Sequence, residues 1–172
     1  THYALGLAAL QAGKHVLCEK PLAIEMGHAR ALVEAARAAD RIVPVNFVLR
    51  YNPVTEVVKS LIDSGVLGSP LHGSFENFAE DEKLSRGHWF WKREVSGGIF
   101  IEHGVHFFDM YGYWFGGAEV VAAHREIRPG SDAEDRVMCI TRHEDGTTVH
   151  HYHGFDQTYR MDRQNHHLLF EL

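Results

Sequence analysis

The sequence predicts an α/β segment followed by an α+β segment with an open antiparallel sheet. Three observations carry that reading. Over residues 1–48, helix-forming runs rich in Ala and Leu alternate with short β-branched runs, the grammar of a parallel layer. From Pro53 onward, strand-like runs follow one another with few helices between them, as in an antiparallel sheet. Between the two patterns lies a long apolar run opened by Gly97-Gly98, which reads as the main helix of the second segment.

Each element has its own signal. Residues near 3–12 form an Ala/Leu-rich helix stopped by Gly13. Residues 15–19 form a short buried strand that runs into Glu19-Lys20-Pro21. Residues 25–39 are strong helix formers, with Ala29, Leu32, Val33 and Ala36 as an apolar stripe. Residues 42–48 are β-branched and predict a second buried strand. Pro53 to Asp63 reads as a helix with proline in its first turn and Gly65 as its stop. Leu71 to Phe78 alternates like a strand. Phe100 to Phe115 reads as one helix closed by Gly116-Gly117. Four strands follow, over 120–127, 136–143, 147–153 and 167–172, with Glu144-Asp145-Gly146 as a hairpin turn between two of them.

Composition bounds the function. A chain of 172 residues holds one domain or one and a fraction. Hydrophobic content of 45% and charged content of 23% are those of a globular protein. A net charge of -6 argues against nucleic acid as a partner, because that binding needs basic surface to release counterions. The two cysteines, Cys18 and Cys139, lie far apart in unlike contexts, which fits a reducing compartment. No apolar run reaches the roughly 20 residues that span a bilayer. Tyr3 to Leu10 lacks the basic leader and cleavage site of a signal peptide, so the expected location is cytoplasmic and no membrane partner is expected.

Several residue groups are candidates for chemistry. Glu102, His106 and Asp109 recur at i, i+4 and i+7, one face of a helix. A carboxylate one turn before an imidazole can orient a general acid/base, although the same spacing also suits a wet polar face. Glu19 and Lys20 end a strand, and in open α/β sheets ligands bind outside the carboxyl ends of strands; a surface turn is the plainer alternative. Arg50 and Tyr51 follow the second strand at its carboxyl end, either as substrate contacts or as a structural hinge. His88 and Trp89 belong to an aromatic cluster, Gly87 to Trp91, that would either form a small core or face the apolar side of a sugar ring. The fourteen histidines invite a metal-dependent hydrolase, with His151 and His153 on one strand face, but no Cys-x-x-Cys or His-Glu-x-x-His occurs, and no metal is expected.

Taken together, Glu19-Lys20-Pro21, the later Gly97-Gly98, and Glu102-x-x-x-His106-x-x-Asp109 resemble the Gfo/Idh/MocA oxidoreductases. Val45 to Pro53 is similar to that family's crossing between domains, and Leu61 to Gly68 to the helix end beyond it. The resemblance implies an α/β remnant of a doubly wound Rossmann domain at 1–48. An α+β substrate-binding and dimerisation domain with an open antiparallel sheet is implied at 49–172, incomplete at its C-terminus.

The implied activity is hydride transfer between NAD or NADP and a sugar- or polyol-like CH–OH or C=O group. His106 would be the base, Lys20 would hold the substrate oxygen, and Glu102 would orient His106 or hold a substrate hydroxyl. The family usually has aspartate at the position of Glu102. Glu19, Lys20, Pro21 and Asn46 would lie against the cofactor, and Arg50, Tyr51, His88, Trp89 and Asp109 against the substrate. A homodimer through the antiparallel sheet is expected. Its apolar residues include Val137, Met138, Ile140, Val149, Phe155, Leu168 and Phe170, and helices can cover only one face. His151, His153 and Arg142 instead suit a sheet face that is polar and wet.

No Gly-x-Gly-x-x-Gly loop and no acidic ribose reader occur, and the chain opens inside what reads as a late helix of a dinucleotide fold. A segment of a longer enzyme is therefore expected, with a non-catalytic remnant serving only in dimerisation as the alternative.

Overall fold

The computed structural model describes residues 1–80, 84–85, 87–157 and 163–171. Its first layer has α1 (His2–Gln11), β1 (Cys18–Glu19), α2 (Met26–Ala38) and β2 (Val45–Asn46). The helices pack on each other through Leu10, Leu32 and Ala36. β1 and β2 pair in parallel, Cys18 opposite Val45 and Glu19 opposite Asn46. The Val16 and Cys18 amides extend the pairing to the Ile42 and Pro44 carbonyls, each at 3.0 Å. The strand expected over 42–48 is therefore short. Pro44 has no N–H to give to a ladder, and Val48–Tyr51 winds into a 3-10 helix instead.

α3 (Pro53–Asp63) starts as its sequence dictates. Asn52 caps it by accepting the Val54 amide at 2.9 Å, and Pro53 takes the position where a missing N–H costs nothing. Replacing Asn52 by Ala is expected to cost about 1 kcal/mol. That loss should appear as a lower urea midpoint with an unchanged slope.

The second layer is a five-stranded sheet in the order β4 (Ala118–Ile127), β5 (Glu134–His143), β6 (Thr148–Gln157), β3 (Ser69–Glu80), β7 (Gln164–Glu171). It is open and mostly antiparallel. The exception to the expected pattern is β3 with β6, which run parallel. A parallel pair needs a long crossover, and the chain supplies one. It leaves β3 through α4 (Arg93–Ser96) and α5 (Val105–Phe115) and returns by the β4–β5–β6 meander.

One sheet face carries the core. Phe75 and Val149 on the sheet meet Phe107, Met110, Tyr111, Trp114 and Phe115 on α5, with the Phe75 and Phe107 rings stacked at 4.1 Å. A second cluster joins Trp91 and Ile99 to Val137 and Phe155. The aromatic run at 89–91 is thus divided, with Trp91 buried and Trp89 exposed.

His151 and His153 overturn an expectation. They are fully buried on the helix-covered face and do not share the exposed side with Arg142. The register explains it: Thr141 pairs with Val149 and Cys139 with His151, so these alternate inward while Arg142, Ile140 and Met138 alternate outward. β4 is exposed along its whole length. No described helix is long and apolar enough to cross a membrane.

Candidate active site

Two turns build the site. The first is the end of β1, where Glu19 and Lys20 leave the short ladder and a cis peptide bond joins Lys20 to Pro21. The second precedes α5. Gly97 and Gly98 both hold positive φ, +85° and +89°, a region that glycine enters without steric cost. The Gly98 amide donates to Ser96 Oγ at 3.1 Å. The Gly98 carbonyl then accepts from both Ile101 N at 3.1 Å and Glu102 N at 2.9 Å. Residues 100–115 do not form the single α-helix expected there. Phe100–Gly104 forms a π-helical turn, and the α-helix begins only at Val105. Such turns widen a helix by one residue and re-aim its side chains.

Here the wider turn aims Glu102 at Lys20. Lys20 Nζ donates to Glu102 Oε1 at 2.7 Å and also to the Glu102 main-chain carbonyl. The partners lie 82 residues apart in sequence, and their side chains are only 20% and 18% exposed. They open onto a cavity of about 600 Å³ lined also by Glu19, Pro21, Ser96 and Trp89. The end of the parallel layer and the glycine turn of the second layer thus form one pocket.

His106 sits one turn further along, half-buried, and is not among the residues lining that cavity. Its Nδ1 is buried without a hydrogen-bond partner, and its ring meets Phe47 edge-on at 6.5 Å. Burial, and next the charge of Lys20, push its pKa below the usual histidine value, while Glu102, Asp109 and Glu19 pull the other way. His106 is therefore neutral near pH 7 and can accept a proton. The expected hydrogen bond from Glu102 to orient it is not formed, because the Glu102 carboxylate is turned to Lys20.

The other expected site residues divide. Asn46 Nδ2 donates to Glu19 Oε1 at 2.8 Å and so braces the end of β1. Arg50 grips both oxygens of Asp109, Nε at 2.6 Å and Nη2 at 2.7 Å. That pair lines a different concavity of about 500 Å³. The shared helix face expected for Glu102, His106 and Asp109 is thus split by the π-turn. Tyr51 is exposed and lines neither cavity. His88 caps the short helix at 89–91, its Nδ1 accepting from the Phe90 amide at 3.3 Å, and only its neighbour Trp89 reaches the cavity. Among the described residues no group of three or more His, Cys, Asp or Glu is placed to hold a metal ion.

Sequence reasoning overlooked two residues, Ser96 and Glu134. Ser96 was legible, since a small hydroxyl directly before a glycine pair is a turn-bracing signal. Glu134 was not, because β5 was expected to start only at Arg136.

Comparison with known proteins places this geometry. A family model described as the GFO/IDH/MocA C-terminal domain matches residues 55–168, and one described as oxidoreductase family, NAD-binding Rossmann fold, matches residues 1–47. The chain is 31% identical over 157 residues to 1,5-anhydro-D-fructose reductase of Ensifer adhaerens, covering 90% of this chain and 47% of that protein. It is 30% identical over 129 residues to scyllo-inositol 2-dehydrogenase (NAD(+)) of Bacillus subtilis, covering 74% of this chain and 36% of that one. The chain therefore spans less than half the length of each of these relatives. The fold is that of the WlbA dehydrogenase of Bordetella pertussis, solved with NADH and UDP-GlcNAcA, at a TM-score of 0.89, 24% identity and coverage of 99% of this chain and 50% of that one. With the family model covering most of its length and the Lys20–Glu102 pocket at the junction of the two matches, the chain belongs to the Gfo/Idh/MocA family of NAD-binding oxidoreductases.

Proposed function

We propose that the protein containing this chain is a dehydrogenase that moves a hydride between NAD or NADP and a sugar- or polyol-like CH–OH or C=O carbon. Residues 1–48 would be the end of its cofactor domain and 49–172 its substrate-binding and dimerisation domain. The observation that carries the reading is the Lys20–Glu102 pair in a cavity beside a neutral histidine. A nicotinamide bound there would supply the hydride acceptor, and Glu19, Lys20 and Pro21, which line the cavity, would hold it. Lys20 holds the substrate oxygen and favours the negative charge that grows on it as the hydroxyl ionises. His106, neutral, would take the proton through Nε2, since its Nδ1 is buried. Glu102 holds Lys20 in place, and Trp89 offers an apolar face to a ring. Arg50, Asp109, Tyr51 and His88 remain outer contacts, reached by a larger substrate.

The test uses the full-length protein with NAD+ or NADP+ and a panel of inositols, aldoses and anhydro-sugars, followed by the absorbance of the reduced nicotinamide. Turnover of at least one polyol or sugar is expected. Silence in both directions with both nucleotides would leave the non-catalytic remnant as the better account.

The same reading includes a two-fold dimer through the sheet. Ile140 on β5 and Ala122 opposite it on β4 are exposed apolar groups on the uncovered face of the sheet. Stacking a second copy there would bury them. Light scattering at micromolar concentration should give twice the chain mass; a monomer would overturn the dimer alone. The two free cysteines, both buried, support a reducing cytoplasmic setting.

A further inference from the structure

We infer that Glu134 is a positioning residue for the Lys20–Glu102 pair, acting through Gly98 on the π-turn that carries Glu102. The inference rests on the dehydrogenase reading for its catalytic consequence, but not for its structural one.

Glu134 is the first residue of β5 and its side chain is buried. One carboxylate oxygen accepts the Ile99 amide at 3.0 Å. The other takes Arg93 Nη1 and, at 3.2 Å, Arg125 Nη1. The carboxylate fills the space where a side chain at residue 98 would go. A Cβ on Gly98 would lie 2.5 Å from Glu134 Oε2, closer than a Cβ comes to a non-bonded atom, so the carboxylate would have to move. Gly98 is therefore held from two sides, by its positive φ and by this carboxylate.

Its carbonyl is also the single acceptor for the amides of Ile101 and Glu102. That shared acceptor sits where the chain enters the π-turn, so the position of Gly98 sets where Glu102 leaves the backbone. From the Glu134 carboxylate to Glu102 is one continuous path: Ile99 N and Gly98, then the Gly98 carbonyl to Glu102 N, then the Glu102 carboxylate to Lys20.

Stability alone is a weak reason for this arrangement. Arg93 and Arg125 are more than half exposed, at 58% and 54%, and ion pairs to exposed arginines contribute little. A buried carboxylate also carries a desolvation penalty. What it provides is a fixed acceptor at the base of the turn, the kind of support that holds a reacting group in a productive geometry.

The experiment separates positioning from general stabilisation. Amide hydrogen exchange is measured on the full-length protein as wild type, Glu134→Gln and Glu134→Ala. Gln keeps an acceptor for Ile99 N; Ala does not. Glu134→Ala is expected to speed exchange across residues 98–104 by at least about 10-fold while core amides such as Val137 and Val149 stay within about 2-fold, and Glu134→Gln to stay within about 3-fold throughout. Unchanged exchange at 98–104, or uniform acceleration over the whole chain, overturns the inference. If Glu134→Ala does not fold, Arg93→Ala at the exposed end of the clamp should still speed exchange at 98–104 by about 3-fold. No local change there is equally fatal.

In the full-length enzyme, Glu134→Ala should lower kcat by about 10–100-fold with KM shifted less than about 3-fold, and Glu134→Gln should restore most of it. A wild-type protein without turnover would end the dehydrogenase reading. The exchange measurement would then decide the role of Glu134 on its own.

Discussion

Lowering the pH from 7 to 5 is expected to remove several kcal/mol of stability, because three histidines on the α5 side of the sheet are held neutral. His151 and His153 are fully buried. Burial pushes the His103 pKa down to about 4, with help from Lys20, Arg163 and His106. Burial pushes His151 to about 3, aided by His143, His150 and His166. It holds His153 well below the ordinary value, aided by His103 and His151.

The surroundings offer little to a proton arriving there. His153 has neither ring nitrogen paired, and the rings around it are Phe75, Phe100, Phe107, Phe108 and His103, itself held neutral. In the unfolded chain each of these histidines takes a proton below about pH 6.5; in the folded chain His103 does so only at about 4, His151 at about 3, and His153 well below the ordinary value. The unfolded state therefore binds more protons across that window, so stability is full above it and falls as the pH drops through it. Each group contributes about 1.4 kcal/mol per pH unit, so the three together give about 4. Between pH 6.5 and 5 that amounts to about 6 kcal/mol, enough to exhaust a stability at the lower end of the usual range of about 5–15 kcal/mol. Urea midpoints by circular dichroism at pH 7, 6, 5.5 and 5 check this. His153→Phe, which keeps a ring but no titrating nitrogen, should reduce the slope by about a third. A stability that stays flat from pH 7 to 5 would show that these histidines are not held neutral.

That cluster also marks where sequence reasoning stops. Periodicity located most elements to within a few residues, because each carries a local signal: the Ala29–Leu32–Ala36 stripe, Pro53 in a first helical turn, the Glu144-Asp145-Gly146 turn. Burial of polar residues has no such signal. Alternation says that His151 and His153 share a face with Val149, but polarity suggests water, and only tertiary packing against α5 decides between them. The parallel β3–β6 pair was hidden for a related reason, since sequence neighbours suggest hairpins and a long crossover leaves no local trace.

At the site, Glu19-Lys20-Pro21 and Gly97-Gly98 were visible as motifs. A 3.6-residue count could not foresee the π-turn at 100–104, which turns Glu102 to Lys20 and away from His106. Nor could it foresee Glu134, whose role depends on a contact with residues 35 and 36 positions away.

The second large effect is expected at Lys20. Lys20→Met keeps an apolar stem of similar length and removes both donations to Glu102 and any hydrogen bond to a substrate oxygen. In the full-length enzyme it should lower kcat by about 10²–10³-fold, the loss typical of a donor aimed at a developing oxyanion. His106→Asn should be at least as damaging, at about 10²–10⁴-fold, since it removes the proton acceptor.

The two variants are distinguished by pH. Lys20 is the largest charge effect holding the His106 pKa down, second only to burial. Without it, the His106 pKa should rise toward the ordinary value of about 6.5. The acid limb of kcat/KM in Lys20→Met should then move to higher pH by the same amount, because the base is lost to protonation earlier as the pH falls. Glu102→Gln should move it the other way, since Glu102 raises the same pKa. Titrating the His106 ring protons by NMR reads the shift directly, whether or not a good substrate is in hand. If the His106 titration is the same in wild type and Lys20→Met, the two groups do not share one electrostatic site. The pairing of Lys20 with His106 as oxygen holder and base would then have to be abandoned.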